Sequence, residues 1–165
     1  MLDELGRLAC AQGDCAQAKD LFDESLSTAQ GLWDHYRTTR ALCDLGIVAY
    51  EEKDYAQAQA YLKQIADGVQ DLKGTPLPAE FFLAVVHLAC ITGPSERAAR
   101  LMGAAQAAIE TISAYLGVVN RAEYEATWST LRMALGGEVF DRACAEGQAM
   151  SLEAALAYAT NEVLS

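Results

Sequence analysis

The chain has 165 residues, 52% of them apolar and 21% charged, with a formal net charge of −11. That balance supports a buried core and excludes a disordered chain. The 12 basic residues are scattered, with no cluster denser than the pair Arg97 and Arg100, which excludes tight nucleic-acid binding through phosphate neutralisation.

In chain order, residues 1–12 read as the last part of a helix, closed by a turn at Gly13-Asp14. Asp14, with Gln17 three residues on, fits the N-cap of a second helix that carries Ala18 and Phe22. Trp33-Asp34 opens the next helix, with Leu45, Val48 and Ala49 at helical spacing. Lys53-Asp54 is the following turn, with Gln57 at the same offset, and Gly74-Thr75-Pro76 closes the segment. A third hairpin runs from about Leu77 to Leu116, turning at Gly93-Pro94. Pro76, Pro78 and Pro94 all fall at expected helix boundaries, and Pro94 suits a helix start. Asn120, with Glu123 at capping-box spacing, begins a tail in which Tyr124, Trp128, Leu131 and Leu135 make one stripe. Gly136-Gly137 then breaks the chain before a short helix with Val139, Phe140, Ala143 and Cys144. Ser151 caps a last helix with Leu152, Ala155, Leu156 and Ala159 inward.

The first three segments are copies of one another. A shift of 40 residues brings Leu5 onto Leu45, Ala9 onto Ala49 and Ala18 onto Ala58. A shift of 80 brings Leu8 onto Leu88, Gly13 onto Gly93 and Leu21 onto Leu101. A fixed period of this size marks stacked repeats. The small residues at Ala9, Ala49 and Ala89, and at Ala18, Ala58 and Ala98, are those a close helix crossing requires. Phe22, Leu62 and Met102 fill the space beside it.

This pattern resembles the tetratricopeptide repeat, on Leu5-Gly6, Ala9, Gly13-Asp14, Ala18 and Phe22 in the first copy and Leu45-Gly46, Ala49, Tyr55, Ala58 and Leu62 in the second. Cys15, where an aromatic is usual, and Lys53, where the turn glycine is usual, depart from it. The common repeat has a period of about 34, so longer helices are expected here, around 26–42 and 66–82. That longer form resembles the C-terminal repeats of large bacterial signal-transduction ATPases with LuxR-type or adenylate-cyclase-type output domains. Residues 96–107, 121–125 and the ending from Leu135 to Ala159 are similar to the closing segment of those proteins. The resemblance implies an all-α fold of antiparallel helical hairpins in a right-handed superhelix. Its repeats are placed at 1–32, 33–75 and 76–117, with a helical C-terminal cap over 118–165. Residues 1–12 lack the opening of a first helix, so the first repeat is read as incomplete and the chain as a fragment. Self-association into a homodimer through residues 1–30, or fraying there, is the expected consequence.

No chemistry announces itself. There is no phosphate loop, so the ATPase of the resembled proteins is absent, and no G-x-S-x-G, H-E-x-x-H or C-x-x-C. Cys10, Cys15, Cys43, Cys90 and Cys144 are odd in number and irregular in spacing, which reads as reduced, buried thiols. No histidine stands at metal-ligand spacing from them, so neither metal nor cofactor is expected. Met1–Glu4 has neither the basic start nor the apolar core of a signal peptide, and no apolar run reaches the length of a membrane span. A cytoplasmic protein with no membrane contact is expected.

The positive candidate is a surface. On the first helix of each copy, Arg7 and Cys10, then Arg40, Cys43, Ile47 and Tyr50, then Leu83, His87 and Cys90 lie away from the core positions. By position, the resemblance implies that this side faces a concave groove for a peptide or partner domain. The expected function is non-catalytic protein binding. The alternative is an inducer sensor with an apolar pocket formed by Phe81, Phe82, His87 and Tyr50. Finally, Glu80–Thr92 is apolar all round, and the tail is expected to fold over its exposed strip beside His87.

Overall fold

The computed structural model describes residues 1–111 and 121–165, apart from the side chains of 67 and 121–123. The expected end of the third repeat near Leu116 and the Asn120–Glu123 capping pair lie outside that description. Among the described residues every regular element is helical: α1 (Leu2–Ala11), α2 (Cys15–Gly31), α3 (His35–Glu51), α4 (Tyr55–Val69), a 3-10 turn (Gln70–Leu72), α5 (Leu77–Thr92), α6 (Ser95–Thr111), α7 (Arg121–Leu135), α8 (Gly137–Gln148) and α9 (Leu152–Glu162). The fold is all-α, built of helical hairpins. Two compact units, Met1–Gly68 and Val69–Ser165, divide it, so the third hairpin goes with the tail.

In the first unit α2 packs on both α1 and α3. The three turns α1–α2, α2–α3 and α3–α4 share one construction. The residue before the cap takes a left-handed conformation: Gly13 (φ 80°), Trp33 (φ 57°) and Lys53 (φ 64°). The next residue is an aspartate whose amide donates five residues back, Asp14 to Ala9, Asp34 to Ala29 and Asp54 to Ala49, all at 2.9–3.0 Å. Its carboxylate then accepts from the backbone N–H three residues on, at Gln17, Arg37 and Gln57. One local solution thus links helices both within and between repeats. Lys53 occupies its left-handed position at a cost that Gly13 does not incur. Lys53→Gly should therefore raise the urea midpoint, corresponding to a gain of up to about 0.5–1 kcal/mol. A fall would mean that the lysine side chain stabilises the turn.

The recurrent alanines are buried as the repeat requires: Ala9, Ala49 and Ala89 on the first helices are at most 5% exposed, and Ala18, Ala58 and Ala98 on the second are sealed. Gly6 and Gly46 recur for the same reason. A methyl group at Gly6 would stand 2.5 Å from the Phe22 ring, and one at Gly46 would stand 3.3 Å from Leu62. The third copy has Val86 at this position, opposite the flexible Met102, and both are buried. Ala58→Leu should cost about 1–2 kcal/mol by overpacking the crossing, whereas Ala60→Leu, at an exposed position, should be nearly silent. Equal melting temperatures would refute the crossing.

In the second unit α5 pairs with α6, and α6 is covered on its other side chiefly by α8, with lesser contact to α7 and α9. The sequence expectation placed the tail over the strip of α5 beside His87. The principal contact is with α6 instead. Gly103 and Gly147 explain it. A side chain at Gly103 would run into the Cys144 carbonyl, and one at Gly147 into the Arg100 carbonyl. Backbone therefore lies against backbone. In the repeat register Gly103 replaces Asp23 and Lys63, and Ala99 replaces Lys19 and Gln59. The outer face of the third copy has lost its charge, and that loss is where α8 settles. Around it the Cys144 thiol donates to the Ala99 carbonyl at 3.3 Å. Arg100 pairs with Glu96 (2.7 Å) and Glu146 (2.6 Å). Arg97 donates to the Glu162 carbonyl. The Trp128 ring stands edge-on to the buried Phe140, with centroids 4.9 Å apart. Gly136 turns the chain at φ 78°, and the Ser151 hydroxyl accepts from the Ala154 N–H at 3.2 Å.

Candidate partner-binding surface

The first unit positions its candidate residues on α1 and α3. Arg7 crosses from α1 to α3 and grips Asp44 with two nitrogens, Nε at 3.1 Å and a terminal nitrogen at 2.9 Å from Oδ1. Asp44 is 4% exposed and the Arg7 side chain 35% exposed. Arg7 is therefore first a structural counter-ion, since a buried carboxylate is costly without a cationic donor. The sequence did carry a signal for this: Asp44 stands alone among apolar and small neighbours from Ala41 to Tyr50.

Along α3, Tyr36, Arg40, Ile47 and Tyr50 are half-buried or exposed at helical spacing. Arg40 donates to the Tyr36 hydroxyl at 3.1 Å, and the Tyr50 ring packs against Tyr55 with centroids 5.8 Å apart. Tyr36 and Tyr55 were missed as members of this surface. Cys43 has to be withdrawn from it, being 1% exposed: it shares that side of the helix, and packing around its small side chain covers it. Cys10 packs half-buried against the cluster of Ala9, Ala18, Phe22, Leu45 and Val48.

In the second unit Leu83 and His87 are half-buried on one face of α5, with Cys90 and Ile91 exposed at the end of the same face. The reading of all five cysteines as buried is thus corrected: Cys43 and Cys144 are buried, Cys10 and Cys15 partly so, and Cys90 exposed. Burial pushes the Cys10 and Cys144 thiols up to about 11, with Glu51 adding to the first and Asp141 to the second. Both are protonated at neutral pH and so are poor nucleophiles.

Of the residues expected to line an inducer pocket, Tyr50 lies in the first unit and Phe81, Phe82 and His87 in the second. Phe81 is sealed in the core. A pocket of about 230 Å³ in the second unit has Phe82 in its wall, with Pro78, Ala104, Ala108, Met150 and Leu152. Among the described residues there is no group of three or more potential metal ligands, and no helix long and apolar enough to cross a membrane.

Residues 1–71 match the family model of the tetratricopeptide repeat. Together with the buried recurrent alanines and the hairpin order, this identifies the repeats within residues 1–71 as tetratricopeptide repeats. The repeat itself is a non-catalytic scaffold that generally mediates protein–protein interaction. Proteins of Mycobacterium bovis and of two Mycobacterium tuberculosis strains, carrying the provisional name HTH-type transcriptional regulator, are 31% identical over 157 residues. The match covers 94% of this chain and 17% of each relative, so the chain spans about a sixth of the length of these proteins. No solved structure gives a significant match.

Proposed function

We propose that this chain is the protein-binding, non-catalytic part of a bacterial transcriptional or signalling regulator, working in the cytoplasm at its sensing or scaffolding end. The observation that carries the proposal is the α3 face. Tyr36, Arg40, Ile47 and Tyr50 stay accessible on a helix whose other positions are mostly packed. Tyrosine and arginine are the side chains that most often anchor interfaces. Leu83 and His87 offer a second, more apolar contact surface on the second unit. The partner is a protein or peptide. The relatives' names support a regulator, and the likeness of the closing segment to proteins with LuxR-type output supports that class. DNA contact belongs to another part of such a protein, since this chain is acidic with dispersed cations.

A photo-crosslinking residue at Ile47 should capture one discrete polypeptide in producing cells, and the product should disappear with Arg40→Ala and Tyr50→Ala. The same residue at the exposed Lys63 on α4 should not give that product. Identical products from both positions, or none from Ile47, would sink the reading. The pocket beside Phe82 favours a second reading, an inducer sensor for a small apolar compound. Compounds that raise the melting temperature of the intact chain, but not of an Ala108→Leu variant with the pocket filled, would favour it.

A further inference from the structure

The pocket beside Phe82 has a one-sided chemistry. Its volume is about 230 Å³, room for about eight water molecules at ~30 Å³ each. Its floor is α6, where Ala104, Ala107 and Ala108 line it. In the repeat register these alanines replace Glu24, Ser27 and Thr28 of the first copy and Gln64, Asp67 and Gly68 of the second. The third copy is therefore mostly smaller and less polar at these positions. Phe82 of α5, Met150 and Leu152 supply apolar walls. The polar side chains of the lining are Lys73, Thr75 and Thr111. The Thr75 hydroxyl donates to the Leu72 carbonyl at 2.7 Å, and the Thr111 hydroxyl to the Ala107 carbonyl at 2.9 Å. A hydroxyl has a single proton to donate, so neither has one left for a ligand. Lys73 is exposed, and among the described residues its ammonium is held by no ion pair or hydrogen bond.

We infer that this pocket takes a medium-chain monocarboxylate, its apolar tail on the alanine floor and its carboxylate on the solvent-exposed Lys73. Desolvation selects the class. A sugar or other polyol would bury several hydroxyls against alanine, phenylalanine, methionine and leucine, and each hydroxyl left unpaired is costly. A cationic ligand would meet the charge of Lys73. A carboxylate accepts a charge-assisted hydrogen bond from the one uncommitted donor side chain of the lining and asks nothing polar of the rest. Octanoate matches the space, since its tail is about as large as the pocket admits. The inference rests on the small-molecule reading of this pocket and names its ligand class; it is independent of the α3 face and its partner.

The test titrates octanoate and its uncharged counterpart octan-1-ol into the intact chain by calorimetry. Octanoate should bind one-to-one and, at about ten times its Kd, raise the melting temperature by roughly 3–6 °C. Lys73→Gln should weaken octanoate about tenfold and leave octan-1-ol binding unchanged. Ala108→Leu should abolish binding of both compounds by filling the floor. Ala107→Leu is the second filling variant, used if the first does not fold. Octan-1-ol bound as tightly as octanoate, with Lys73→Gln silent on octanoate, would overturn the carboxylate class and leave the small-molecule reading standing. Octanoate binding that survives the filling variant, or no binding of either compound, would overturn both.

Discussion

Gly147→Ala should destabilise the second unit by about 3 kcal/mol, at the upper end of overpacking costs. That is a fall of roughly 6–12 °C in melting temperature for a chain of this size. The added methyl group would meet the Arg100 carbonyl, which belongs to the α6 backbone and cannot rotate away as a side chain could. Relief requires α8 to move off α6, which would also pull Gly103 from the Cys144 carbonyl, the thiol of Cys144 from Ala99, and Glu146 from Arg100. Gly68→Ala is the control. Gly68 is a helical glycine with nothing within 4 Å of the added carbon, so alanine should stabilise it by about 0.5–1 kcal/mol. The same chemical change therefore has opposite signs at two helical glycines. Urea unfolding of both variants checks it, and equal midpoints would mean that α6 and α8 are not in backbone contact.

Arg7→Ala should cost about 2 kcal/mol, less than the loss expected for a fully buried pair because the guanidinium is about a third exposed. The variant takes the bidentate guanidinium from a carboxylate that is 4% exposed. The cost lies mostly in stranding Asp44, not in losing an attraction. Arg7→Ala combined with Asp44→Ala should therefore be more stable than Arg7→Ala alone, though it loses the same contact. A double variant as unstable as the sum of the singles would show that the pair does not act as a unit.

Much of the fold was legible because its determinants are local or periodic. The aspartate caps, the glycine turns and the proline boundaries act within a few residues. The alanines at the crossings recur because each copy repeats the same steric limit. The candidate surface was legible only as a helix face. Helical spacing put Arg40, Ile47 and Tyr50 on one side of α3, where they are half-buried or exposed, yet it could not separate Cys43, which the same spacing puts beside them and the packing buries. The stripe Tyr124–Trp128–Leu131–Leu135 was also readable, but its docking surface was not. An apolar stripe states that it needs a cover without stating which.

The sequence by itself determined the hairpin repeat, its 40-residue register and the positions that must stay small, since sterics at a repeated crossing leave the same mark in each copy. Only the tertiary structure decided that α8 lies on α6 through Gly103 and Gly147, and that Arg7 belongs to Asp44. Glycine has several uses and arginine many partners, so their roles are set by what a distant segment brings within reach.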